Sequence, residues 1–341
     1  MLRVQSVLAL LCFSFSFATA QVSLELSETD NFSERIQQDK RDIDAYVSLI
    51  KSNSDSSQFD VALDYQKTAL RYARQSRDII ILRTLGIIAN SGLGKLDKAE
   101  AEYKRAFKIN GAQSNVALHI AMSEAYLKFK QLDKAKIAVA TALKANPADK
   151  QSVTLLTRLL EIEKAILVTG NVLAYDESIK RSQVAGLLIN DLRIDQFMTS
   201  PAKSDQSMTS DQGLTDYADS AFAKEILTVH TLNLRSFRVQ NGAFRPDADF
   251  TYQDLALLAE DILHLTTGIN RALYIGSPSP FFDLSADDTA FNAFMNSITR
   301  GIIEGNLGGK IQPKSSVSGA KTILALVRLK ELLATSKLAK N

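Results

Sequence analysis

The chain has one cysteine, Cys12, in 341 residues. A disulfide framework, a cysteine zinc site and a thiol nucleophile beyond the first residues are therefore excluded. Histidine is nearly as scarce. His119, His230 and His264 stand alone on separate stretches, and no two have metal-ligand spacing. An excess of either charge is missing too: 40 basic residues oppose 38 acidic ones, and a formal net charge of +2 leaves no electrostatic footprint for nucleic acid. Beyond the first twenty residues no apolar run is long enough to cross a bilayer. What is present is an ordinary globular composition, 45% hydrophobic and 23% charged, in a chain with room for two or three domains.

Residues 1–20 read as an export signal. Arg3 is the charged start, "VLALLCFSFSF" the apolar stretch, and Ala18-Thr19-Ala20 a small-x-small cleavage site. Lipidation of Cys12 is the alternative, but Leu11 stands before it where a small residue is required. Cleavage after Ala20 removes the only cysteine, so the exported protein depends on packing alone. The expected location is a bacterial envelope, in the periplasm or at the outer membrane and cell surface.

After a segment over 21–41, the chain repeats. Ala62 and Ala69, Ala99 and Ala106, and Ala135 and Ala142 are each seven residues apart, and the leading alanines follow at 37 and 36 residues. Seven residues make about two helical turns, so each pair shares one face, where small side chains admit a neighbouring helix. "LDKA" recurs at 96–99 and 132–135. An apolar-striped helix precedes each alanine helix, polar turns such as "NSDSSQ" and "GLGK" lie between, and "ANPADK" closes the third unit. With Leu85-Gly86, Tyr103, Tyr126 and "ALKANP" at 142–147, this pattern resembles the tetratricopeptide repeat over 42–149. The resemblance implies a helix-pair solenoid whose concave face takes a protein or peptide. Arg83, Asn90, Glu124 and Lys128 are the expected groove residues. His119 falls at a packing position and is expected in the core.

The C-terminal half repeats differently. Gly242, Phe244, Pro246, Phe250 and Ala256 have the same offsets as Gly309, Ile311, Pro313, Val317 and Ile323, 67 residues later. Leu173, Ile179 and Ala185 form a weaker copy, with Asn171 and Tyr175 in place of glycine and proline. Glycine permits the turn, proline stiffens it, and Ser178, Asp249 and Ser316 stand where a helix cap is expected. A helix precedes each turn, so three helix–turn–helix units should pack as a pseudo-threefold bundle. "GAFRPDADFTYQDLA", "SIKRSQVAGLL" and "SVSGAKTILAL" resemble the S-layer homology domain over 150–341, with a polar insertion near 199–213 and the family-type leading aspartate at Asp283. That resemblance implies pockets for cell-wall polysaccharide, built from the arginine and acidic positions of the helix starts. Here those starts read Lys180, Arg181, Gln183; Thr251, Tyr252, Asp254; and Ser318, Gly319, Lys321, and there is no tryptophan. Arg181 and Gln183 are the only candidates for glycan contact.

No other motif carries chemistry. "EGNLGGKI" fails as a phosphate loop because Glu304 replaces its first glycine and Ile311 its Ser/Thr. Asp247 and Asp249 are too few oxygens for a calcium loop, and Asp287-Asp288 suits a helix start. The expectation is an all-α exported adaptor without cofactor, metal or catalytic residues. Its partner is an envelope protein or peptide; the alternative is attachment to cell-wall polysaccharide.

Overall fold

The structure, a computed structural model, describes residues 31–194, 213–305 and 308–338, with side chains as far as 335. The leader, Cys12 and nearly all of the polar insertion lie outside the described residues. Regular structure among the described residues is helical, apart from three isolated β-bridges. The chain divides into two compact units, Met1–Leu159 and Leu160–Asn341, and the division falls inside a helix.

Unit one begins with α1 (31–38), followed by α2 (Ile43–Asp55), α3 (Phe59–Tyr72), α4 (Ser76–Gly92), α5 (Leu96–Phe107), α6 (Val116–Lys128) and α7 (Leu132–Ala145). The long helix α8 (Lys150–Thr169) passes through the division. Side-chain caps start several of these helices: Asp42 accepts from Ala45 N–H, Asn115 from Leu118 N–H and Asp149 from Ser152 N–H. The first helices of the pairs, α2, α4 and α6, pack side by side, while α3, α5 and α7 each pack on their own partner. All six repeat alanines are 0% exposed, so the small-residue spacing marks the helix contacts.

The turns within the pairs are alike in detail. Gln58 N–H donates to Asn53 O, Lys95 N–H to Asn90 O and Gln131 N–H to Tyr126 O, at 2.7, 2.9 and 2.9 Å. The residue just before each donor is left-handed: Ser57, Gly94 and Lys130, with φ of 59°, 74° and 57°. These bonds occupy carbonyls that the ending helix would otherwise leave unpaired. Only one of the three turns has a glycine to do this.

Unit two contains the rest of α8, then α9 (Arg181–Gly186) running into a π-helical stretch, α10 (Ala223–Thr231), α11 (Tyr252–Thr267), α12 (Phe291–Thr299) and α13 (Gly319–Leu338). Three segments entering helices meet at its centre. Ile179 N–H donates to Val317 O, Val317 N–H to Phe250 O, and Phe250 N–H to Ile179 O, at 2.9, 3.0 and 2.8 Å. The ring is closed, and its members are Ile179, Phe250 and Val317, the matched entry residues of the three sequence copies. Their side chains are 2% exposed or less.

The second and third copies agree further. Asp216 accepts from the N–H groups of Phe244 and Arg245, and Asp283 accepts from those of Ile311 and Gln312, all at 2.7–2.9 Å. Arg245 and Gln312 are both left-handed, with φ of 58° and 52°. Gln253 N–H donates to Pro313 O as Ser182 N–H donates to Pro246 O. The caps fall later than expected. Ser178, Asp249 and Ser316 precede the ring, whereas α11 is capped by Thr251 with Asp254, and Gln183 accepts from Lys180 N–H at 2.7 Å at the start of α9. The entry residues are held in extended backbone by the ring, so helix can begin only beyond them.

Candidate functional site

Gly86 fixes which side of α4 faces inward to the paired helices. A Cβ there would lie 2.6 Å from Nε2 of Gln66 on α3 and 3.4 Å from Cγ of Glu102 on α5. The opposite side of α4 carries Arg77, Ile81, Thr84 and Ile88, at i, i+4, i+7 and i+11. Arg77 is exposed and Ile88 is 39% exposed, a large apolar side chain facing solvent. On the adjacent α6, Ser123 turns toward α7 and donates to Ala135 O at 2.8 Å. Ala117, Glu124 and Lys128 lie on its solvent side. Together the two helices expose two cations, one carboxylate and Ile88, while Ile81 packs against the core and Thr84 is buried.

The four expected groove residues divide evenly. Glu124 and Lys128 are exposed on α6. Arg83 and Asn90 are not on the outward side of α4. They are three and four residues from Gly86, hence on its side of the helix. The Arg83 guanidinium donates to Glu102 at 2.7 Å, and Asn90 is buried with its amide donating to Gly86 O. Glu102 itself also accepts from Gln66 at 3.1 Å and Arg105 at 2.8 Å, and ties two repeats together. Its place between Ala99 and Ala106 on the apolar face is the sequence signal for this tie.

His119 is fully buried. Its two ring nitrogens lie 2.7 Å from Tyr103 Oη and 3.1 Å from Gln113 O. The neutral tautomer protonated on Nε2 satisfies both contacts, donating to Gln113 O and accepting from the Tyr103 hydroxyl. Burial holds its pKa below the ordinary histidine value, against the opposing effect of the Gln113 hydrogen bond.

In unit two the position two residues beyond each ring member is filled three ways, by Arg181, Tyr252 and Gly319. Arg181 is 5% exposed. Its guanidinium donates to Phe244 O at 2.9 Å and Ser236 O at 2.6 Å, and lies over the rings of Phe244 and Phe237. Burial pushes its pKa down, and the nearby Asp254 carboxylate opposes this. The matching Tyr252 hydroxyl donates to Glu304 O. At the third copy, Gly319 lies so close to the Leu173 carbonyl that no Cβ fits. Gln183 is occupied by Lys180 N–H and Asp176. Arg181, a candidate for glycan contact by sequence, is a buried tie to main-chain carbonyls.

A cavity of about 400 Å³ in unit two is bordered by Tyr252, Glu304, Lys321 and Arg328. The two basic groups have acidic neighbours, Lys321 with Glu161 at 3.9 Å and Arg328 with Glu331 at 3.0 Å. Among the described residues, no group of three His, Cys, Asp or Glu could hold a metal, and no helix is long and apolar enough to cross a membrane.

A family model described as tetratricopeptide repeat matches residues 92–159, from the end of α4 into α8. No curated protein and no solved structure matches the chain. The match and the helix pairs together support a tetratricopeptide-repeat protein, a class of scaffolds that bind other proteins. The match lies wholly within unit one.

Proposed function

We propose that this chain is an exported, non-enzymatic adaptor of a bacterial envelope, and that it takes a protein or peptide partner on the outward faces of α4 and α6. The observation that carries this reading is the mixed surface itself. Ile88 offers an exposed apolar side chain, and Arg77, Glu124 and Lys128 are exposed on the same two helices. An extended peptide with one apolar anchor and charged flanks is the ligand such a face suits. Export rests on the sequence of residues 1–20 alone.

Unit two, in this reading, is a degenerate S-layer-homology-like bundle kept as a scaffold. The closed ring of Ile179, Phe250 and Val317 and the 67-residue match of Asp216 with Asp283 support it. Attachment to wall polysaccharide is disfavoured because Arg181 and Gly319 are buried against main-chain carbonyls and the Tyr252 hydroxyl is taken up by Glu304 O. The test is co-sedimentation of the protein with purified cell-wall material, beside recovery of a bound partner from an envelope extract with wild type and Ile88→Asp/Lys128→Glu. Recovery that the double variant abolishes, without sedimentation, supports the adaptor. Sedimentation with wall material that the double variant leaves intact refutes it.

A further inference from the structure

The helices of unit one alternate in direction, because each short connection turns the chain back along its predecessor. The turns within the pairs therefore share one end of the unit, and the connections between pairs share the other. Charge divides unequally between these ends. At the first end lysines and carboxylates stand together: Lys95 is 4.0 Å from Asp60, Lys134 is 3.1 Å from Glu100 and Lys136 is 3.3 Å from Asp133. At the other end, from the last turn of α3 to the first residue of α8, Arg71, Arg77, Lys108, Lys144 and Lys150 are all exposed and make no ion pair among the described residues. The carboxylates there are Asp78, in the first turn of α4, and Asp149, which accepts from Ser152 N–H. The start of α2 is acidic, with Asp39, Asp42 and Asp44, so the basic stretch begins at the α3–α4 connection. A formal net charge of +2 conceals this separation.

The other cations at this end are already occupied. Lys104 faces Glu100 at 3.9 Å, Arg105 faces Glu102 at 2.8 Å, and Arg74 donates to the carbonyls of Arg71 and Ala73. The helix dipole explains a cation in a last turn, and so explains Arg71 and Lys144. It works against Arg77 and Lys150, which stand in the first turns of α4 and α8, where positive charge is disfavoured. These two gain nothing from the fold, and an external anion is what would favour them.

The spacing of the cations selects the kind of anion. They come from three successive connections, and neighbouring packed helices lie about 8–10 Å apart, so the row extends over roughly 20 Å. Cations so spread cannot converge on one small anion, whereas a surface with many negative groups side by side meets each where it stands. Phe107, 40% exposed beside Lys108, adds an aromatic suited to the level of lipid headgroups. We propose that the end of unit one formed by the connections between pairs rests on a membrane surface rich in anionic phospholipid. Each Lys or Arg held at such a surface strengthens binding about fivefold. The attraction fades beyond a Debye length, about 8 Å at physiological salt, so the contact is peripheral and reversible. It does not depend on a peptide binding to α4 and α6.

Co-sedimentation of the full-length chain with vesicles tests this, with equal parts of phosphatidylglycerol and phosphatidylcholine in one set and phosphatidylcholine alone in the other. Binding to the anionic vesicles should exceed binding to the neutral ones by at least about tenfold and should weaken as salt is raised. Lys108→Gln/Lys144→Gln/Lys150→Gln should lose about a hundredfold in binding to anionic vesicles, with an unchanged circular dichroism spectrum because all three side chains are exposed. Lys51→Gln/Lys95→Gln/Lys98→Gln removes the same net charge from the opposite end and should bind as wild type does. Equal binding to the two kinds of vesicle overturns the proposal. So does an equal loss in the two triple variants, or binding to soluble polyphosphate with none to vesicles.

Discussion

Phe250 N–H donates to Ile179 O at 2.8 Å, across 71 residues of sequence. This is one link of the three-membered ring that closes through Val317. In a helical unit these few extended bonds do what a sheet would otherwise do, and bring three separate helix starts to one point. Everything at the helix starts is then set by position along the ring segments. Two residues beyond each ring member stand Arg181, Tyr252 and Gly319, and each fills its site from within the protein.

Gly319→Ala tests the tightest of these sites. The added Cβ would meet the Leu173 carbonyl, a backbone atom that cannot swing aside. The shift also disturbs the bond from Gly319 N–H to Asp176 O. A loss of about 1–3 kcal/mol is expected, measured by denaturant unfolding.

Arg181→Met should be costly for a different reason. It leaves the buried carbonyls of Phe244 and Ser236 without their donor. The expected loss is about 2–4 kcal/mol in chemical denaturation. Arg181→Lys should rescue little of it, because an ammonium cannot span two carbonyls as a planar guanidinium does. An unchanged unfolding midpoint in Arg181→Met would contradict the burial.

Ala99→Leu and Ala135→Leu should each cost about 1–3 kcal/mol through overpacking, since both alanines are fully enclosed. Thermal melts of the two variants beside wild type measure this. Ile137→Ala is a useful control, because Ile137 is 68% exposed on the same helix as Ala135 and its loss should change little.

Stability should fall on acidification through His119. Its folded pKa lies below the unfolded value, so the unfolded chain binds the proton more readily. The stabilisation is present above the unfolded pKa of about 6.5 and is lost as pH falls toward the folded one. The melting temperature of wild type should drop over this window, and that of His119→Gln should drop less. Equal slopes would contradict the assignment.

Much of unit one was legible because its signal is local. Alanines seven apart can mean only one helix face, and six of them proved buried. The left-handed turns were not legible at Ser57 and Lys130, where glycine is replaced and only the repeat geometry imposes the conformation. Arg83 and Asn90 were expected in the groove; Arg83 pairs with Glu102 on the next helix and Asn90 with the Gly86 carbonyl, and position along the repeat does not fix such pairings. In unit two the entry residues were readable from the 67-residue match, but Asp216 was not. It carries out the same task as Asp283, yet the sequence around it, "LTDYADS", has little in common with "FFDLSAD". The burial of Arg181 depends on carbonyls more than fifty residues away, which no local pattern reveals.

Photo-crosslinking decides whether a partner lies on α4 and α6. A photoreactive residue is placed singly at Ile88 or Lys128 on that surface, and at Lys67 or Lys104 on the paired helices, and each variant is irradiated with an envelope extract. One common adduct is expected from Ile88 and Lys128 and none from Lys67 or Lys104. An adduct that forms equally from all four positions, or only from Lys67 and Lys104, would contradict it.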